Sequence, residues 1–291
     1  MEDREQKTLY AIATKLRMDV LEMMGVGKAG HLGGSNSLAE IVATLYFHEM
    51  RIDPKRIEDP TRDRIILSKG HAVLIQYAAL VELGLIPSSE MAKTKSLEGI
   101  LQGHPDMAHT PGIEAVTGSL GQGLSIGVGM ALAARLDGRK SRIFVVMGDG
   151  ELSEGQVWEA AMAASAYRLG NLVGIVDRNR FQATGPTAEV FDIPHIEEKW
   201  RAFGWNVVTV DGHDVAQISS ALREAGKNED KPFVIVADTV KGKGITYAEN
   251  SAAFHNAALT EEQRNQGIRE LEVLMAAQGL DQGEGKRHVA V

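Results

Sequence analysis

The residues best suited to chemistry lie in Gly148-Asp149-Gly150-Glu151-Leu152-Ser153-Glu154-Gly155 and, further on, in Asp177-Arg178-Asn179. Asp149 and Asn179 are 30 positions apart. That is one strand–helix–strand excursion, so both can arrive at the same edge of a parallel sheet. A carboxylate, an amide oxygen and a nearby main-chain carbonyl are hard oxygen donors. They suit Mg²⁺ or Ca²⁺, with phosphate oxygens and water completing the shell. Gly150 lets the backbone approach a phosphate closely, and the N-terminus of the following helix favours an anion. Taken alone, Asp149 could equally be a turn carboxylate capping that helix. Other phosphate motifs fit worse. There is no G-x-x-x-x-G-K-[ST], and Gly118, Gly121, Gly123, Gly127 and Gly129 do not form G-x-G-x-x-G.

Four of the nine histidines sit in Gly-rich loops. His31 follows Lys28-Ala29-Gly30, His71 ends Ser68-Lys69-Gly70, and His104 lies between Gly103 and Pro105. His255 comes after Lys241-Gly242-Lys243-Gly244. Imidazole can donate, accept and titrate near neutrality, which suits a substrate rich in hydroxyls and a reaction that moves protons. A lone histidine is more often a satisfied structural hydrogen bond. That reading is kept for His48, His109, His195, His213 and His288. His213, in Asp211-Gly212-His213-Asp214, reads as a strand-end turn. Lys241 and Lys243 read as a solvated basic face or as contacts to a sugar phosphate.

These loops need elements to hold them. Leu9, Ile12, Leu16, Val20 and Met23 recur at helical spacing, and Gly25 and Gly27 end that helix. A second helix is predicted from about Leu38 to Met50, and a third from Val73 to Leu83. Gly118 to Arg135 reads as a loop feeding a helix, and Val157, Ala161 and Ala164 mark another. A further helical stretch runs from Val215 to Glu224. Ile65–Leu67, Ile143–Met147, Leu172–Val176, Val207–Val210 and Phe233–Ala237 read as strands. The rhythm implies an α/β fold with a doubly wound, mostly parallel sheet and helices on both faces. The loops after Met147 and Val176 fall at carboxyl ends of strands, where such sheets bind ligands.

The 291 residues are 44% hydrophobic and 24% charged, enough to bury a core. A formal net charge of −8 argues against a nucleic-acid surface. With no cysteine, disulfides, thiolate metal sites and cysteine nucleophiles are excluded. The start, Met1-Glu2-Asp3-Arg4-Glu5, lacks the apolar core of a signal peptide, and no apolar run is long enough to span a bilayer. The expectation is a cytoplasmic protein with one domain over 1–278 and a loose, polar tail over 279–291.

Taken in order, the motifs resemble the N-terminal, diphosphate-binding domain of transketolases. The resemblance rests on Lys28-Ala29-Gly30-His31, Leu67-Ser68-Lys69-Gly70-His71, Gly103-His104-Pro105, Thr117-Gly118-Ser119-Leu120-Gly121-Gln122-Gly123, and Gly148-Asp149-Gly150 with Asn179. It implies thiamine diphosphate as cofactor, with Mg²⁺ (or Ca²⁺) held by Asp149, Asn179 and the main-chain carbonyl of Phe181. His71 and His255 would contact the diphosphate side, with Gly150 near the phosphates. Backbone at Gly118 and Leu120 would lie along the cofactor's rings. His31, His104 and His255 would bind substrate hydroxyls and shuttle protons. Glu154 matches an interface glutamate linked to the activating glutamate of the opposite chain; the plainer alternative is a carboxylate at a helix N-terminus. Related chains often have glycine where this one has Asn256.

In transketolases the activating glutamate lies in a pyrimidine-binding domain further along the chain. The resemblance therefore implies a split enzyme: a partner chain supplies the pyrimidine-binding and C-terminal domains, in an α₂β₂ assembly. The implied reaction moves a two-carbon ketol unit from a ketose (phosphate) to an aldose. The far phosphate of the sugar is expected to be bound by the partner. The alternatives are a 1-deoxyxylulose-5-phosphate synthase-like or 2-oxoacid dehydrogenase-like subunit, or a non-catalytic cofactor-binding subunit.

Overall fold

The computed structural model describes residues 1–227 and 229–278. The tail predicted to be loose, 279–291, and His288 within it lie outside the described residues.

The apolar runs become a sheet buried on both faces, except at its edge strand Asn206–Asp211, where Val210 alone is buried. Strands β1 (Arg64–Leu67), β2 (Ile143–Gly148), β3 (Leu172–Arg178), β4 (Asn206–Asp211) and β5 (Phe233–Asp238) pair in the order β1-β2-β3-β5-β4. All four pairings are parallel. Successive side chains point to opposite faces. Phe144, Val146, Val173, Ile175 and Ile235 therefore join one core, and Val145, Met147, Val176, Val234 and Val236 the other. A strand covered on both sides needs a continuous apolar run, which is why alternation is absent from these segments.

Helices α1 (Asp3–Met24), α2 (Ala39–Thr44) and α3 (Val73–Glu82) bury their apolar stripes in the first core. Helices α4 (Gln122–Leu136), α5 (Gly155–Ala166) and α6 (Ile196–Ala202) cover the second. Helices α7 (Val215–Ala225) and α8 (Glu261–Ala277) complete the first. No helix among the described residues is long and apolar enough to cross a membrane.

The helix predicted from Leu38 to Met50 is not uniform. After Thr44 the chain widens into a π-helical turn, Leu45–Glu49, with the Met50 amide donating to the Leu45 carbonyl at 2.9 Å. Glu49 at its end meets Ser219 Oγ at 2.6 Å and Arg223 Nε at 3.0 Å on α7.

Register then sets the site. Gly148 of β2 lies opposite Asp177 of β3, so the loops bearing Asp149 and Asn179 leave adjacent strands at the same edge. A buried ion pair pins the neighbouring His31 loop. Arg17 of α1 holds both carboxylate oxygens of Glu40 at 2.6 Å and the Asn36 carbonyl at 3.1 Å. His213 adds Nδ1 to Glu40 at 2.8 Å and accepts the Val240 amide on Nε2. Burial would raise the Glu40 carboxyl, but Arg17 and His213 hold it down at about 2. His213 is thus structural, as the sequence suggested.

Candidate active site

At the strand ends, Asp149 and Asn179 are buried, at 6% and 4% exposure. Asp149 accepts the Gly150 amide on Oδ1 at 2.9 Å and the Arg180 amide on Oδ2 at 2.7 Å. The capping alternative therefore describes a real hydrogen bond. It leaves lone pairs on both oxygens free. Burial, and then the charge of Asp177, push the Asp149 carboxyl up to about 6. A carboxylate so placed gains from a nearby cation.

Asp177, fully buried, organises the floor. Its Oδ2 accepts Ser37 Oγ at 2.7 Å, Asn179 Nδ2 at 2.8 Å and Lys69 Nζ at 2.5 Å, and its Oδ1 accepts Thr239 Oγ1. Burial would raise this carboxyl, but Lys69, Thr239 and Ser37 hold it below its ordinary value. By engaging the Asn179 amide nitrogen, Asp177 fixes which way the amide oxygen faces. Lys241 is 1% exposed, so the solvated-face reading fails for it. The loop after β5 folds inward and places its ammonium 3.4 Å from the Phe181 carbonyl and 3.0 Å from His255 Nδ1. Burial, then repulsion from Lys69, lower its pKa to about 8.

Glu151 ties two loops to this floor. It accepts Ser68 Oγ, the Gly121 amide at 2.8 Å and the Gly148 amide at 3.1 Å. Gly118, at φ +137°, packs against His104: a Cβ there would meet His104 Cδ2 at 2.7 Å. Glycine is thus required for both conformation and space. Leu120, on the same loop, is half-buried.

The four motif histidines converge. His31 lies 5.1 Å from His71, 6.3 Å from His104 and 5.4 Å from His255, ring centre to ring centre, and His71 lies 5.0 Å from His255. A short ribbon pairing Ala29–Gly30 with Ala257–Ala258 joins the His31 and His255 loops. Burial, and then neighbouring cationic groups, lower every one of these imidazoles: His31 to about 3, His71 to about 2, His255 to about 4, and His104 in the same direction. All four are neutral at pH 7, each with one donor and one acceptor nitrogen. His31 Nδ1 is buried and has no partner among the described residues. Because the Lys241 ammonium donates to His255 Nδ1, the proton of that ring sits on Nε2.

The structure therefore links Asp149, Gly150, Asn179, Phe181, His31, His71, His104, His255 and Gly118 in one network of contacts. One ammonium, that of Lys241, bridges the strand-end group and the histidines. Glu154 stands apart: it is exposed, at the N-cap position of α5, and its side chain does not cap the helix. Sequence reasoning quoted Asp177, Glu151 and Lys69 within its motifs but gave them no role of their own. A signal existed for Asp177, a charge closing an apolar strand on the same pleat face as Asn179.

Residues 8–273 match the family described as "Transketolase, thiamine diphosphate binding domain". The chain is 45% identical over 269 residues to a 6-deoxy-6-sulfo-D-fructose transketolase subunit of Clostridium sp. (strain MSTE9), covering 92% of this chain and 98% of that one. It is 42% identical over 266 residues to an apulose-4-phosphate transketolase subunit of Phocaeicola vulgatus, covering 91% and 94%. Against human transketolase identity is 37%, over 92% of this chain but 43% of that one. A Pichia stipitis transketolase structure superposes with a TM-score of 0.87 at 29% identity, covering 98% of this chain and 44% of that one. The family match, the relatives and the shared fold make this chain a member of the transketolase family, equivalent to its thiamine-diphosphate-binding domain.

Proposed function

We propose that this chain is the cofactor-holding subunit of a two-chain transketolase, working in the cytoplasm. The observation that carries the reading is a cluster of four imidazoles joined through Lys241 to a buried acid–amide pair at adjacent strand ends. The donor chemistry fits a hard divalent cation and a diphosphate. Asp149, Asn179 and the Phe181 carbonyl would hold Mg²⁺ (or Ca²⁺), with Lys69 and Lys241 adding positive charge for the phosphates. His71, His255 and Gly150 would line the diphosphate, and backbone at Gly118 and Leu120 the rings. Bound thiamine diphosphate supplies the nucleophilic carbon and the electron sink that cleavage of a ketose needs.

This chain's own residues handle protons. His31 and His104 orient the ketol hydroxyls of the donor. A free imidazole nitrogen takes the proton from the hydroxyl beside the breaking carbon–carbon bond, and Nε2–H of His255 donates to the carbonyl oxygen. A neutral ring is required for the first role, because imidazolium has no acceptor nitrogen. A partner chain would bring the pyrimidine-binding and C-terminal domains, including the activating glutamate, in an α₂β₂ assembly. The exposed Glu154 would meet that glutamate across the interface. The two relatives named as subunits, each covered almost end to end, support this arrangement.

The test is turnover with the partner present, comparing xylulose 5-phosphate with pyruvate as donor. A ketol acceptor product from the ketose supports the reading. Consumption of pyruvate alone, or full turnover by this chain without the partner, contradicts it. Sulfonated and branched ketoses belong in the donor panel, because the relatives' names point to such sugars.

A further inference from the structure

Lys95 is held in a way that surface lysines are not. Its backbone sits at φ +59°, a region lysine rarely occupies. The strain is locked in by the Lys95 amide donating to the Leu101 carbonyl at 2.8 Å. Gln102 Nε2 closes the same loop onto the carbonyls of Ser96 (3.1 Å) and Gly99 (2.6 Å). From there the side chain crosses Gly103, where a Cβ would lie 3.6 Å from Lys95 Cε. Its ammonium then donates to the Ala29 carbonyl at 2.5 Å, two residues before His31 and within the ribbon that carries His31. Nonrandom strain of this kind gathers at ligand sites.

Among the described residues the charge has no counterion. Lys69 has Asp177, and Lys93 has Glu90. Among the described residues no carboxylate offsets Lys95; burial of its tip is what shifts it, downward. Its field is felt at both His31 and His104. An ammonium has three donors, and Ala29 uses one. Burial also gives the site a direction. Lys69 and Lys241, at 2% and 1% exposure, close its deep end, whereas His104 and Lys95 are exposed. The buried lysines suit the diphosphate and the histidines the ketol hydroxyls, which leaves the exposed Lys95 ammonium for the part of the sugar furthest from the reacting carbons.

We propose that Lys95 is a substrate-recognition residue whose ammonium, at the mouth of the histidine cluster, binds a tetrahedral oxyanion on the far end of the sugar. The oxyanion is a phosphate or a sulfonate, which present the same chemistry to an ammonium. The inference rests on the transketolase reading, and it adds a contact from this chain to those expected from the partner.

The experiment uses the two-chain enzyme with Lys95→Met and Lys95→Arg. Donors are xylulose 5-phosphate, 6-deoxy-6-sulfofructose and uncharged xylulose. Lys95→Met should raise KM about tenfold for at least one charged donor, while kcat and the uncharged donor change less than about twofold. Lys95→Arg should recover most of the loss. Whichever charged donor suffers more identifies the group bound. An equal rise for charged and uncharged sugars, or no rise for either charged one, overturns the proposal. A second readout needs no turnover: inorganic phosphate should shift the His104 ring signals saturably in the NMR spectrum of the wild-type chain, with at least about tenfold weaker binding in Lys95→Met. Equal responses in the two chains overturn the proposal. A wild-type enzyme that moves no ketol unit contradicts the transketolase reading, while the phosphate titration still decides for or against Lys95.

Discussion

Two neighbouring clusters of the site are built on opposite rules. Around Asp177 the protein satisfies itself: one buried carboxylate takes hydrogen bonds from Ser37, Lys69, Asn179 and Thr239. Around His31 it does not: four imidazoles face each other, and a buried ring nitrogen lacks a partner among the described residues. The first arrangement makes a floor whose polar groups bond to one another. The second leaves donors and acceptors for something that is not protein. Stability and function are thus assigned to different ends of the same site.

The largest expected effect breaks the floor. Asp177→Ala strands the Lys69 ammonium in a buried position and should cost about 3–5 kcal/mol in urea unfolding. His104→Asn, at the open end, should cost less than about 1 kcal/mol. Equal costs would dissolve the distinction between the two regions.

Acid sharpens it next. The folded pKa values of His71 and His31, about 2 and about 3, lie below the ordinary histidine value. Between pH 6.5 and about 3 the unfolded chain therefore binds more protons than the folded one. The contribution from these rings is complete above pH 6.5 and is lost as pH falls toward their folded values. His71→Gln and His31→Gln should each flatten the acid limb of stability against pH. A slope identical to wild type would mean that these rings are not held neutral by the fold.

The smallest stability effect belongs to Glu154. It is exposed and does not cap its helix, so Glu154→Ala should change the stability of this chain by no more than about 0.5 kcal/mol. The same change should weaken turnover of the two-chain enzyme at least tenfold, about 1.4 kcal/mol or more. Unchanged turnover would remove Glu154 from the proposed interface role.

Much of this was legible in the residues. Five apolar runs became five parallel strands, four of them because runs without alternation suit a sheet covered on both faces. Asp149 and Asn179 arrived at one edge because thirty residues make one crossover. The supporting layer was harder to read. Lys241 looks solvated in Lys-Gly-Lys-Gly, and only the tertiary path of the loop after β5 turns it inward. The π-helical turn at Leu45–Glu49 answers contacts to Ser219 and Arg223 on a helix some 170 positions away, which local periodicity does not encode. Lys95 carries no sequence signal; its meaning comes from a left-handed backbone and a carbonyl on another loop.

The central claim is that adjacent strand ends grip the cofactor through a shared cation. It is tested by titrating thiamine diphosphate into the two-chain enzyme by calorimetry, with and without Mg²⁺, in wild type and Asp149→Asn. The account predicts binding that requires the metal and is lost, or weakened by at least about a hundredfold, in the variant. Equally tight binding in the presence of a chelator, undiminished by Asp149→Asn, would contradict it.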